Sequence, residues 1–105
     1  MKIVWVQYTT RAEFASRNSE NIAAVAAEVN ALGLQGIVYS TYLFPDGKTF
    51  LHLDHFESEE AHQLLTSLAS FKKFEAQLHA SELEVKPKLL LPGLVASTMV
   101  FLGDR

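Results

Sequence analysis

Apolar side chains recur along this chain with two different periods, and the switches between them mark its elements. Ile3 to Thr9 is rich in β-branched and aromatic residues, the composition of a strand. Thr10-Arg11-Ala12-Glu13 follows with the spacing of a capping box, in which a Thr hydroxyl and a Glu carboxylate satisfy free amides at a helix start. Phe14, Ile22, Val25, Ala26, Val29 and Leu32 then recur three or four positions apart or at multiples of a turn, the stripe of a helix. The polar stretch Ser16 to Ser19 predicts a late start or a break in it, and Gly33 a C-terminal cap. Ile37 to Phe44 predicts a second strand and Thr49 to Phe56 a third. Pro45-Asp46-Gly47-Lys48 turns between them as a hairpin, because Pro presets φ and Gly accepts φ > 0. Ser58 is placed to cap a second helix, with Glu59 and Glu60 in the first turn, where the macrodipole favours anions. Ala61, Leu64, Leu65 and Leu68 give that helix its buried stripe. Ser70 caps a further short helix carrying Phe71, Phe74 and Leu78. Leu83 to Leu91 predicts a fourth strand; Pro87 within it has no amide donor, which predicts an edge position or a bulge. Pro92-Gly93 ends it, and Leu94 to Leu102 reads as a last extended piece.

The order is β-α-β-β-α-β, a split β-α-β unit repeated. It predicts an α+β, ferredoxin-like domain over residues 1–105, with an antiparallel four-stranded sheet and its helices on one face. A sheet with one wet face alternates apolar and polar residues. These strands do not: Ile3 and Trp5 oppose Val4, Val6 and Tyr8, Ile37, Tyr39 and Leu43 oppose Val38, Tyr42 and Phe44, and Phe50 and Phe56 oppose Leu51 and Leu53. Two helices cover one face. Sheltering ~800 Å² of the other is worth roughly 20 kcal/mol gross, against an association cost on the order of 4–15 kcal/mol. A homodimer through the sheet face is the expected solution; the alternative is the segment from Leu94 folding back over it.

Charge and composition narrow the partners. Over 105 residues, a formal net charge of −3 with no basic run argues against nucleic acid, which needs clustered cations. The absence of cysteine excludes disulfides, thiolate metal sites and a Cys nucleophile. The apolar start, Met1 to Gln7, is too short for a signal peptide, and no run reaches the ~20 residues of a membrane span. A cytoplasmic protein, with no membrane partner, is the expectation.

Four histidines carry the candidate chemistry. His52 and His55 lie three apart on a strand and point to opposite faces, so they cannot share an ion. His62 is expected on the exposed side of the second helix and His79 at the end of the short one; no metal site is predicted. His52 and Asp54 share a face. The Asp can hold a His tautomer for proton transfer, which suits a general base; the alternative is a partly exposed structural pair at the rim. Tyr39 offers a phenol to a ligand. Trp5 and the Phe71/Phe74 pair are ring walls for an aromatic ligand or plain core, and Phe50 precedes His52 on the same face. Asn21, at the margin of the first helix's apolar stripe, either reaches a ligand or serves in N-terminal capping or solvent contact.

Glu20-Asn21 before the Ile/Val helix, Tyr39-Ser40-Thr41-Tyr42, Asp46-Gly47-Lys48-Thr49-Phe50-Leu51-His52 and Phe71-Lys72-Lys73-Phe74 give the chain a resemblance to the dimeric α/β-barrel superfamily, antibiotic biosynthesis monooxygenase-like, from residue 3 to about 97. The resemblance implies two sheets packed face to face and a small pocket between each sheet and its own helices. It also implies oxygenation of quinols or polyketide-like aromatics without metal, flavin or other cofactor, or else haem binding and breakdown. Such enzymes use particular Asn, Trp and His residues, and where an Asn would help the first strand here offers Trp5 and Gln7. The expected ligand is a small apolar or aromatic molecule. In the expected chemistry His52 deprotonates a phenol, Asn21 or Tyr39 hydrogen-bonds the anion, and Trp5, Phe50, Asp54, Phe71 and Phe74 line the site. The competing expectation is a binding or stress-related dimer without catalysis.

Overall fold

The computed structural model describes residues 1–98. Its elements are β1 (Lys2–Thr9), a 3-10 turn (Ala12–Phe14), α1 (Ala15–Ala31), β2 (Ile37–Val38), β3 (Thr41–Leu43), β4 (Thr49–Phe56), α2 (Glu59–Ser67), α3 (Ala69–Ala80) and β5 (Val85–Leu90). The strands make one antiparallel sheet in the order β2-β4-β1-β5, with β3 also on β4. This is the ferredoxin-like α+β arrangement expected from the sequence.

The hairpin turn forms as its chemistry dictates. Asp46 Oδ1 accepts the Lys48 and Thr49 amides at 2.9 and 2.8 Å, and Gly47 takes φ +74. The capping box does not form. Thr10 is held to the turn before β4, its amide and hydroxyl both donating to the Lys48 carbonyl, so its side chain is unavailable to α1. Nor does Ser16 to Ser19 delay the helix: α1 starts at Ala15 and runs unbroken, because one of those polar residues, Asn18, turns inward and is fully buried. Its C-terminus closes as a Schellman motif, the Gly33 amide on the Asn30 carbonyl and the Leu34 amide on Val29, with Gly33 at φ +61.

The second expected strand is split. Register along β4 is continuous, Val38 facing His55 and Thr41 facing His52. Leu53 N–H still reaches the Ser40 carbonyl at 2.9 Å, but the Ser40 amide donates instead to Asp54 Oδ1 at 3.2 Å. A side chain has taken half of one ladder pair.

Ser58 caps α2 as expected, accepting the Ala61 amide at 3.2 Å. Leu64 is exposed, whereas Ala61, Leu65 and Leu68, spaced four and three apart, are buried. The helix expected to be short has twelve residues, and Leu68 rather than Ser70 stands at its N-cap. The Ser70 amide and hydroxyl donate to the Glu28 carboxylate of α1 at 3.1 and 2.6 Å, which places an anion at the start of α3. β5 is an edge strand, and its register against β1 shifts between Gln7 and Thr9, opposite the segment holding Pro87. From Leu91 to Thr98 there is no strand and the residues are exposed. Residues 99–102 of the expected last extended piece lie outside the described residues.

The sheet's inner side presents Val4, Val6 and Tyr8 of β1 and Phe50, His52, Asp54 and Phe56 of β4 to the helices, where Val25, Leu65, Phe74 and Leu78 complete the core. Its outer side carries Trp5, Leu51 and Leu53 half-buried and Val38, Tyr42 and Leu90 exposed. Through Thr98 the chain does not fold back to cover it.

Candidate functional site

The strand pairing lays out the floor of a cavity in rows. Asp54 lies beside Val4; His52 lies beside Val6, which lies beside Leu89. Asp54 and His52 thus come from β4, Val4, Val6 and Tyr8 from the central β1, and further aliphatic groups from the β5 edge. α2 and α3 roof this floor with Leu65, Phe71, Phe74 and Leu78, enclosing about 480 Å³. That lies within the usual size of a small-molecule site, as does the mostly apolar lining with a few convergent polar groups.

A chain of hydrogen bonds runs beneath it. Asn18 Nδ2 of α1 donates to Tyr8 Oη at 2.9 Å; Tyr8 Oη and His52 Nε2 are 2.7 Å apart; His52 Nδ1 and Thr41 Oγ1 are 3.1 Å apart. Both ring nitrogens of His52 are therefore engaged, and its ring stacks on Tyr8 and leans on Phe74 at centroid distances of 5.4 and 5.3 Å. Burial pulls the His52 imidazolium down to about 4, so the ring is neutral at physiological pH. The Tyr8 phenol is pushed above its ordinary value, chiefly by burial.

Asp54 does not bond His52. Its Oδ1 holds the Ser40 amide, while Oδ2 has no hydrogen-bond partner among the described residues and belongs to a side chain lining the cavity. Burial raises the carboxyl to about 7, against the Ser40 hydrogen bond that favours its charge. A carboxyl balanced near neutrality in an apolar cavity is the usual form of a tuned acid or base. The expected orienting role of Asp54 toward His52 is thus replaced by Tyr8 and Thr41, and neither group is a rim residue: they are 5% and 6% exposed.

Of the other expected site residues, Phe71 and Phe74 line the cavity. Phe50 is buried beside it, stacked on Tyr8 at 5.7 Å. Tyr39 lies beyond His52, ring centroids 6.1 Å apart, and its buried hydroxyl has no well-formed hydrogen bond among the described residues. Burial and the neighbouring Asp54 raise its phenol, against the nearby Thr41 hydroxyl, which favours the charged form. Trp5 is on the outer face, opposite Leu53 and Leu90, away from the cavity. Asn21 ties α1 to α3 through Gln77 at 2.7 Å and does not line the cavity. His62, expected outside, stacks on Phe56 at 4.5 Å and lines the cavity, as does His79. Tyr8, Asn18, Thr41 and His62 are the members that sequence reasoning passed over. Asn18 had a signal: it falls on the stripe Ala15, Asn18, Ile22, Val25, Val29, a lone amide at apolar spacing. Among the described residues no group of three or more His, Asp or Glu is placed to hold a metal ion.

No protein-family profile matches the chain, and no curated protein matches its sequence. Solved structures do match its fold. An antibiotic biosynthesis monooxygenase superposes with a TM-score of 0.76 at 11% identity, over 91% of this chain and 100% of that one. Rv0793 from Mycobacterium tuberculosis gives 0.76 at 15%, over 93% and 98%. PA3566 from Pseudomonas aeruginosa gives 0.73 at 15%, over 90% and 94%. The chain has the fold of the antibiotic biosynthesis monooxygenase-like structures, as the resemblance in its sequence implied. At these identities the likeness is one of fold.

Proposed function

We propose that the chain binds an ionisable aromatic compound in this cavity and oxygenates it without a cofactor, as a monooxygenase of quinol- or polyketide-like substrates. The observation that carries the reading is Asp54: a carboxyl with one open oxygen, raised to about 7, on the floor of an apolar cavity of about 480 Å³. Proton abstraction passes from His52, whose nitrogens are both occupied and whose basicity is low, to Asp54. Asp54 Oδ2 removes a proton from an acidic C–H or O–H of the substrate, and the resulting anion is electron-rich enough to reduce dioxygen directly. For an activated methylene, two C–H bonds and the O–O bond break, a carbon–oxygen double bond forms, and the second oxygen atom leaves as water. Dioxygen is the oxidant, and Asp54 returns its proton to that water. The mostly apolar lining of the cavity strengthens the polar contacts that stabilise the anion.

We place the outer sheet face against a second copy of the chain, in a cytoplasmic homodimer. The support is the apolar row Trp5, Leu51, Leu53, Tyr42 and Leu90, which no helix among the described residues covers.

Oxygen uptake with a panel of anthrones and quinols tests the chemistry. Turnover that Asp54→Asn lowers at least a hundredfold, with binding retained, is the expected result. Turnover in that variant within twofold of the parent refutes the base assignment. Binding by the parent without uptake of oxygen selects the non-catalytic module, a reading favoured by the Asn18–Tyr8–His52–Thr41 chain, in which both His52 nitrogens are spent on protein partners.

A further inference from the structure

The directions of those four hydrogen-bonded groups can be worked out from what each atom has to give. Asn18 Nδ2 only donates, so one lone pair of Tyr8 Oη is always occupied. A phenol oxygen makes three hydrogen bonds, two accepted and one donated. A neutral His52 ring carries its proton on Nδ1 or on Nε2. With the proton on Nδ1, Tyr8 donates to Nε2, Nδ1–H donates to Thr41 Oγ1, and Tyr8 keeps one free lone pair. With the proton on Nε2, His52 donates to Tyr8, the Thr41 hydroxyl donates to Nδ1, and Tyr8 keeps a free O–H. The distances of 2.7 and 3.1 Å suit both arrangements. Each arrangement leaves one O–H over: that of Thr41 in the first, beside the Tyr39 hydroxyl oxygen that can accept it, and that of Tyr8 in the second, so in the empty protein the first is preferred.

We propose that the His52 tautomer switches Tyr8 between hydrogen-bond acceptor and donor, so that one cavity receives both a hydroxyl-bearing aromatic and its oxidised carbonyl counterpart. This rests on the reading of the cavity as a site for aromatic oxygen compounds, and extends it from the substrate to the product. Tyr8 and His52 both line the cavity. A ligand hydroxyl donates to Tyr8 while His52 is protonated on Nδ1. A ligand carbonyl accepts from Tyr8 once that proton has moved to Nε2. One proton changes place, every ring and oxygen stays neutral, and no side chain changes rotamer. Thr41, at the outer end, is a positioning residue: its hydroxyl accepts in one state and donates in the other, so it supports both. Asp54 keeps the Ser40 amide throughout, while the Tyr39 hydroxyl, beside Thr41, accepts from it in the first state and donates to it in the second.

The test uses full-length protein with nitrogen-15-labelled histidine, the His52 signals being assigned by their loss in His52→Gln. 2-Naphthol is the hydroxyl probe and 9-fluorenone the acceptor-only probe, with affinities from calorimetry. His52 is expected to be protonated on Nδ1 in the free protein and with 2-naphthol, and on Nε2 with 9-fluorenone. Tyr8→Phe should weaken both probes by about three- to tenfold, the worth of one neutral hydrogen bond. Thr41→Val, which leaves Nδ1–H without an acceptor, should move the free protein toward Nε2–H and shift relative affinity toward 9-fluorenone by about threefold or more. Thr41→Ser should behave as the parent. Both probes binding with His52 in one unchanged tautomer overturns the switch and leaves the cavity reading standing. Failure of both to bind overturns the cavity reading and the switch with it.

Discussion

Replacing Asp54 by Asn isolates the energetic cost of a carboxyl in this cavity. The amide keeps the volume, and its oxygen still accepts from Ser40; what disappears is a proton that titrates differently in the folded and unfolded chain. Folding raises the carboxyl from 3.8 to about 7, so the folded form holds a proton that the unfolded form has released across that window. Stability contributed by the neutral acid is complete below 3.8 and is lost as pH rises to about 7. At 1.36 kcal/mol per pH unit the loss amounts to about 4 kcal/mol. His52 acts in the opposite sense: its imidazolium falls from 6.5 to about 4 on folding, so stability is gained as pH rises across that window, by about 3 kcal/mol. The two slopes nearly cancel between about pH 4 and 6.5 in the parent. In Asp54→Asn only the His52 slope remains, and stability should climb by about 3 kcal/mol over that interval. The advantage of the variant over the parent should be small near pH 4 and reach about 4 kcal/mol by pH 8. Urea unfolding at several pH values and one fixed protein concentration measures both curves, other titrating groups cancelling in the difference. A difference that stays within about 1 kcal/mol from pH 4.5 to 8 would refute the buried, neutral carboxyl.

Other substitutions check the remaining parts of the structure. Ser58→Ala removes the N-cap of α2 and should cost about 1 kcal/mol in the same unfolding assay, with no effect on ligand affinity. Gly36→Ala meets both a φ of +77 and the Glu57 carboxylate, 2.7 Å from the added Cβ, and should cost about 1–3 kcal/mol; a neutral result would mean the loop before β2 relaxes freely. Leu53→Lys places a charge on the outer sheet face beside Trp5 and should convert a sedimenting dimer to an 11.7 kDa monomer. An unchanged sedimentation coefficient would place the self-association elsewhere.

Where local chemistry alone decides, the sequence was transparent. β4 ends where its turn and its cap say it must, because Asp46-Gly47 and Ser58 act on their own neighbours. Residues whose fate depends on a distant partner were opaque. Thr10 looks like a helix cap until the Lys48 carbonyl claims it. Ile37 to Phe44 looks like one strand until Asp54, fourteen residues on, captures the Ser40 amide. Faces raised a different difficulty. Alternation correctly separated Trp5 from Tyr8, but both rows are apolar, and nothing local says which row meets the helices. Tyr8 was therefore passed over and Trp5 chosen. Asn21 and Asn18 show the same ambiguity by one turn of helix: either could have pointed at the sheet, and the one at stripe spacing did.

The register shift at Pro87 has a consequence for how large an assembly can grow. A sheet with two greasy faces and an open rim is a template on which further chains can stack and polymerise. β5 is one of the two rims, the other being β2 and β3; Pro87 offers no N–H to an incoming strand, and the irregularity beside it spoils the even row of donors and acceptors that edge-on addition needs. Lys86 and Lys88 on either side add charge that repels a like neighbour. Growth outward past β5 is discouraged while the broad face stays available, which on that side favours a closed pair over a fibre.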